Sequence, residues 1–146
     1  KGISAPTGYN LAMPAGHILQ TVNSQSTPST TSTTSQSYVD TGHSVTITPS
    51  STASKILLSW SHIMYAGTYE IAVSFFRDST DLGGSTGNAF SQTTNTWVTA
   101  SMSYLDSPST TSSITYKVRF KSLNGAQVYG VHSNVKASLT AMEVAQ

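Results

Sequence analysis

Three kinds of side chain in this sequence could do chemistry, and each has a plainer role to be weighed against it. The first is Ser with His and Asp. A hydrolytic triad needs a nucleophile held against an imidazole that a third group orients. The chain has four His, but about a third of its residues are Ser or Thr, so a Ser somewhere near a His is guaranteed by composition. No G-x-S-x-G turn is present to lift a Ser out of a strand–helix corner. His62 lies within an apolar run and reads as a hydrogen-bonded core or interface side chain, whereas His17, His43 and His132 fall at strand ends or loops and read as solvated.

The second kind is a carboxylate pair. Glycoside hydrolysis needs two acids across a cleft, one of them a proton donor. The acids here are Asp40, Glu70, Asp78, Asp81, Asp106 and Glu143. Asp78 and Asp81 are close in sequence, and Asp106 precedes Ser107-Pro108; both settings use Asp to bond nearby backbone in a turn. The acids lack the loop spacing of a Ca²⁺ site. The absence of Cys removes disulfides and thiolate metal ligands. The expectation is a non-enzymatic chain with no catalytic residue, no metal and no cofactor.

The third kind binds rather than reacts. Lys117, Arg119 and Lys121 alternate along one strand and could meet anionic sugar or phosphate groups. The plainer reading is a solvated sheet face, or an edge kept from aggregating by Lys. Tyr9, Tyr38, Tyr65, Trp97, Tyr104 and Tyr129 stand near loops or strand edges and could stack on sugar rings, against the usual place of aromatics in cores and interfaces. Tyr65, Trp97 and Tyr129, with Asn88 and Asn124, are the candidate ligand-binding residues. Loop 81–95 and the Asn124-Gly125 tip are the candidate contact regions, because loops on a rigid scaffold carry recognition.

What must position these groups is a set of strands. Residues 103–122 read SYLDSPSTTSSITYKVRFKS, with Ile114, Tyr116, Val118 and Phe120 on one face and Thr115, Lys117, Arg119 and Lys121 on the other. A period of two is the strand signature, and the apolar face must be covered by a second sheet. This stretch reads as a hairpin across Asp106-Ser107-Pro108. Residues 55–65, KILLSWSHIMY, are apolar on both faces and suit a central strand or one meeting another subunit. Residues 23–37 read as a Ser/Thr/Gln loop or solvated edge, and 84–94 as a polar loop. Residues 78–81 form a tight turn, Asn124-Gly125 signals a hairpin joining 116–122 to 127–131, and residues 135–144 form the last strand. The spacing predicts an all-β chain: an antiparallel β-sandwich, jelly-roll-like, of eight or nine strands. Residues 1–16 read as an arm or linker and 17–146 as one head domain.

Composition narrows the partners. At 146 residues the chain fits one domain, and Ser and Thr suit turns and strands. Only 9% of residues are charged and the net charge is +1, which provides no field to gather nucleic acid. No apolar run approaches the length that spans a bilayer, so neither nucleic acid nor membrane insertion is expected. The chain opens on Lys1 rather than Met, which reads as a piece of a longer protein.

The strings GHILQTV, SYVDTGHSVTITPSSTASKILLSWS, FFRDSTDLGG, YLDSPSTTSSITYKVRFKS and LTAMEVAQ together resemble the C-terminal head domains of bacteriophage tail-fibre-like virion proteins of the marine and cyanophage type. The most specific parts are Arg77-Asp78-Ser79-Thr80, the Leu105-Asp106-Ser107-Pro108 turn with Thr115-Tyr116 beyond it, and the Met142-Glu143-Val144 ending. The resemblance covers residues 16–146. It implies a β-sandwich head assembled as a homotrimer on an upstream fibre or virion protein, at the virion surface (tail fibre or capsid exterior). There it would meet a host surface glycan or protein. The leading expectation is a receptor-binding head, with polysaccharide the favoured ligand. The alternative is a structural virion domain such as a capsid decoration or fibre-connecting module, and more distantly a carbohydrate-binding module.

Overall fold

Alternating side chains build this molecule on both sides of a single buried layer. The computed structural model describes residues 13–67, 70–92 and 95–146. Among them are eleven strands and no helix: β1 (Ile18–Ser26), β2 (Thr31–Thr33), β3 (Val39–Ile47), β4 (Lys55–Tyr65), β5 (Glu70–Arg77), β6 (Thr80–Asp81), β7 (Ala89–Gln92), β8 (Trp97–Asp106), β9 (Ile114–Ser122), β10 (Val128–Val131) and β11 (Ala137–Val144). Every pairing is antiparallel.

In the first sheet β4 is central. β8 lies along one edge of β4, and β11 then β10 lie along the other, with β1 outside β11 and β2 outside β10. The second sheet runs β3-β9-β5, with β6 and β7 side by side on the far edge of β5. The chain crosses repeatedly between sheets: β3 lies in the second, β4 in the first, β5 to β7 in the second, β8 in the first, β9 in the second, β10 and β11 in the first. That interleaving is jelly-roll winding, as the alternation predicts.

The inward row of β4 (Ile56, Leu58, Trp60, Met64) meets that of β9 (Ile114, Tyr116, Val118, Phe120) and of β5 (Ile71, Val73, Phe75) in one core. Gly130 of β10 sits against the Phe120 ring so closely that a Cβ there would overlap it. Gly130→Ala is therefore expected to lower stability by about 1–3 kcal/mol, the usual effect of overfilling a tight core, read as a shift in denaturant midpoint.

Several connections differ from the sequence reading. Residues 103–122 are not a hairpin, because β8 and β9 lie in opposite sheets and the Ser/Thr-rich turn arches over the core. Asn124-Gly125 does turn the chain, with Gly125 at φ 84°, but it too carries the chain from one sheet to the other. Local turn chemistry specifies a reversal, not whether the returning strand pairs or packs. Residues 23–37 hold the end of β1 and all of β2, the outermost strands on that path of the first sheet, in keeping with the solvated-edge reading, while 84–94 include β7, so the strand number rises to eleven. The strand buried on both faces is β5, not β4: Ala72, Ser74 and Phe76 on its outer side are covered as fully as its inner row. Residues 1–12, with Tyr9, lie outside the described residues.

Candidate functional site

The period-two register of three strands sets a row of aromatic rings on the outer face of the first sheet. Tyr65 ends β4, pairs with Trp97 of β8 on one side and with Tyr129 of β10 on the other. Directly opposed residues of paired strands point to the same face, and the inward positions of β4 are its even-numbered ones, so all three rings face outward. Ring centroids are 5.4 Å apart for Tyr65–Trp97, 5.7 Å for Tyr65–Tyr129 and 5.8 Å for Trp97–Tyr129. His132, just past β10, stands edge-on to Trp97 at 4.7 Å. The three aromatics line an open depression of about 300 Å³. Trp97 is 38% exposed, although a buried indole would be worth more to folding.

Polar groups hold this row in place. The Tyr65 hydroxyl donates to Asn95 Oδ1 at 2.6 Å, and the Asn95 amide N–H donates to the Gly67 carbonyl at 2.8 Å. Beyond the row, the outer face of the first sheet carries exposed Ser59, Ser61, Thr99, Ser101 and Ser103 and, among the described residues, no charged side chain until Lys55 at the far end of β4. An aromatic floor beside an uncharged hydroxyl field suits the C–H faces and hydroxyls of a pyranose, since aromatic faces are electron-rich.

The structure thus brings together Tyr65, Trp97 and Tyr129 of the five candidate ligand residues. The other two sit elsewhere. Asn88 Oδ1 accepts from the Phe75 N–H at 2.8 Å and the Ser74 hydroxyl at 3.0 Å, which fixes the loop before β7. Asn124 Oδ1 accepts from Ser122 Oγ and the Ala126 N–H within its own turn. His132 and Asn95 were not legible as site residues, because they join the row only through the register of β10 and the loop before β8.

The basic row is already engaged. Arg119 Nε donates to Asp40 Oδ1 at 2.9 Å, and its guanidinium lies 4.7 Å from the Phe76 ring centre. Lys121 Nζ donates to the Ser85 carbonyl at 3.1 Å and stands 4.4 Å over the Tyr38 ring. Arg119 thus lies over Phe76 on the outer face of β5, and Lys121 over Tyr38, which packs edge-on to Phe76. Lys117 borders a small depression with Asp40, Gly42, His43 and Ser44.

Among the described residues one Ser–His side-chain hydrogen bond exists, and its geometry opposes catalysis. Ser26 Oγ lies 3.0 Å from His43 Nε2, while the Trp60 indole N–H donates to His43 Nδ1 at 3.0 Å. An indole only donates, so Nδ1 is the acceptor and the proton of the neutral ring sits on Nε2, pointed at Ser26. A base needs the reverse tautomer. The expectation of a solvated His43 does not hold: β3 alternates strictly and buries its odd-numbered positions from Thr41 to Ile47, so His43 points inward, 3% exposed. Burial, with the His62 ring 6.0 Å away, pushes His43 down to about 4. His62 is buried as expected, its Nδ1 2.8 Å from the Ile63 carbonyl and its Nε2 3.0 Å from that of Val135.

The acids have structural partners as well. Asp106, expected to shape a turn, lies between the sheets, where Arg77 donates to both its oxygens at 3.0 and 2.9 Å and Tyr116 donates at 2.6 Å. Burial and the Asp106 charge hold the Tyr116 phenol well above its ordinary range. Asp81 accepts the Gly83 N–H two residues on, the expected turn bond, whereas Asp78 accepts the N–H of distant Thr115 at the start of β9 rather than bonding its own turn. Glu143 is fully buried on the inward row of β11, accepting from the Ser50 N–H and hydroxyl and from Gln20. Its burial pushes the carboxyl up, but these hydrogen bonds outweigh that and bring it down to about 2. Among the described residues no group of three His, Cys, Asp or Glu could hold a metal ion.

These shifts predict acid lability in two steps. His43 binds its proton more weakly folded than unfolded, so its contribution is complete above its ordinary value of 6.5 and is lost as pH falls towards about 4. Glu143 contributes fully above 4.5 and loses its part as pH falls towards about 2. Denaturant midpoints should fall from pH 7 to 4, and His43→Gln should flatten that limb while leaving the lower one.

No protein-family model matches the chain. No curated protein matches it either. Among solved structures it is similar to the VP2 subviral particle of infectious bursal disease virus, with a TM-score of 0.47 at 11% identity, over 100% of this chain and 42% of that one. It is also similar to a chain of the T13 IBDV viral particle, with a TM-score of 0.46 at 11% identity, over 99% of this chain and 40% of that one. The chain thus spans less than half the length of either.

Proposed function

We propose that this chain is a non-enzymatic virion-surface module that holds a neutral glycan on the outer face of its first sheet. The observation that carries the reading is the solvent-facing row Tyr129–Tyr65–Trp97, supported from the side by His132. Exposed contiguous aromatics mark interaction sites more often than chance, since leaving them in water forgoes their burial. A neutral rather than anionic ligand follows from the charge distribution: among the described residues no Lys or Arg lies in the aromatic row, and Arg119 and Lys121 are bonded within the second sheet. The virion setting rests on the resemblance to tail-fibre-like proteins. The non-enzymatic reading is supported by the acids' structural partners and by the tautomer of His43.

A second reading, a structural domain between virion proteins, is favoured by the uncharged hydroxyl field and by exposed Leu105 at its far end. Three-fold assembly is implied by the resemblance alone, and the proposal does not depend on it. Incubating the chain with arrayed neutral and acidic oligosaccharides separates these readings. Retention of neutral pyranosides, insensitive to salt and without released fragments, is expected. Retention of acidic glycans only points to the basic row instead, retention of none returns the chain to the structural reading, and fragment release refutes the non-enzymatic one.

A further inference from the structure

Most sheet edges in this sandwich are blunted, and one is not. A free strand edge is a template for pairing, and proteins guard it by shortness, bulges, charge or Pro. β2, β6 and β7 are three, two and four residues long. β3 is broken by its register shift and carries the Asp40–Arg119 ion pair. β1 has a register shift at its start and is tied sideways to the second sheet by Gln20 to the Thr48 carbonyl and by Ser26 to His43. β8 has none of these devices. It pairs with β4 through ten consecutive positions without a shift, has no Pro and no charge before Asp106, and among the described residues no strand pairs with its other edge.

The residue classes of β8 are symmetric about Ser101. Its outward row is Trp97, Thr99, Ser101, Ser103, Leu105, and its inward row is Val98, Ala100, Met102, Tyr104. We propose that two copies of this chain pair through the free edge of β8, antiparallel and centred on Ser101, to make one continuous sheet. That register sets Trp97 opposite the partner subunit's Leu105 and Thr99 opposite the partner's Ser103. On the inner face Val98 meets the partner's Tyr104, and Ala100 the partner's Met102. Shifting by one residue opposes outward to inward side chains, which a pleated pair forbids. Shifting by two sets Trp97 and Leu105 against small polar residues or past the strand end. One register alone covers both of the large exposed apolar side chains on β8, Trp97 (38%) and Leu105 (47%). A two-fold contact of this kind is isologous and closes at two.

The pairing does not depend on the glycan reading. It does place both aromatic rows on one outer face, and the partner's Leu105 beside Trp97 lengthens the apolar floor. Sedimentation over a concentration series tests it. A reversible monomer–dimer equilibrium is expected, because a one-strand junction is a small interface. Ser101→Lys, at an exposed position, sets like charges opposite each other at the two-fold axis and should leave a folded monomer. Ser61→Lys, on the same face but in the interior strand β4, should dimerise normally. Ser101→Cys, the chain's sole thiol, should oxidise to a covalent dimer, since opposed Cα atoms of antiparallel strands stand within disulfide reach. The pairing is overturned by a single-chain mass at every concentration, by an assembly of any size that survives Ser101→Lys, or by Ser61→Cys cross-linking as readily as Ser101→Cys.

Discussion

Truncating Trp97 to alanine is expected to weaken binding of a neutral oligosaccharide by about 30-fold, or about 2 kcal/mol, the scale of a central aromatic in a binding site. The loss should appear in titration calorimetry with little change in folding, because the indole sits on the outer face and outside the core. Tyr129→Ala removes one ring from the same row and should act in the same direction. It lies away from the free edge of β8, so it separates loss of the platform from loss of subunit pairing. Lys117→Ala and Lys121→Ala should leave affinity unchanged, and added salt should matter little, since no charge meets the ligand. Those two controls distinguish a stacking platform from the anionic contact that the alternating basic residues suggest.

Breaking the Arg77–Asp106–Tyr116 cluster should have the largest effect on stability. Arg77→Leu leaves the Asp106 carboxylate buried with Tyr116 as its remaining donor, an uncompensated charge between the two sheets. The expected cost is about 3 kcal/mol, or roughly 10 °C in Tm for a chain of this size. Asp106→Leu alone strands the cation and the buried phenol and should cost a comparable amount. Replacing both residues with Leu should recover much of the loss, because a buried pair is worth little against a well-packed apolar substitute, whereas half a pair is costly. Thermal unfolding of the two single variants and the double variant measures this directly. A double variant as unstable as the sum of the singles would show that the cluster contributes mainly through its fit and not its charge.

The sequence and the structure agree where local periodicity decides the outcome. The alternation of 114–120 makes β9, the apolar run 55–65 makes β4 residue for residue, and Arg77 to Thr80 makes the tight turn into β6. What could not be read is which strands share a sheet. Asp106-Ser107-Pro108 and Asn124-Gly125 are strong reversal signals, yet a reversal can close a hairpin or arch across a core, and only long-range packing chooses. The same limit hid the buried polar groups. Asp106 is inward because β8 keeps strict alternation to its last residue, and Glu143 because β11 does the same after Leu139 and Ala141. A carboxylate at the end of an apolar row reads as solvated until its partners, Arg77 or Ser50 and Gln20, arrive from distant segments. His43, by contrast, lies on the same period of two as buried Val45 and Ile47, so its inward place is legible in the local alternation. The aromatic platform lies between these cases. Tyr65, Trp97 and Tyr129 each stood out by type, but their convergence depends on two strand registers, and nothing local ties His132 to Trp97.

Tryptophan emission offers the most direct reading of the platform. Trp60 is buried and hydrogen-bonded to His43, so Trp97 is the one indole a ligand on the outer face can touch. Titrating the chain with neutral oligosaccharides should shift the emission saturably, with a midpoint that matches calorimetric binding, and the shift should vanish in Trp97→Phe while binding largely persists. Oligosaccharide binding that leaves Trp97 emission unmoved, or no binding by any neutral glycan, would contradict a sugar-stacking role for the row Tyr129–Tyr65–Trp97.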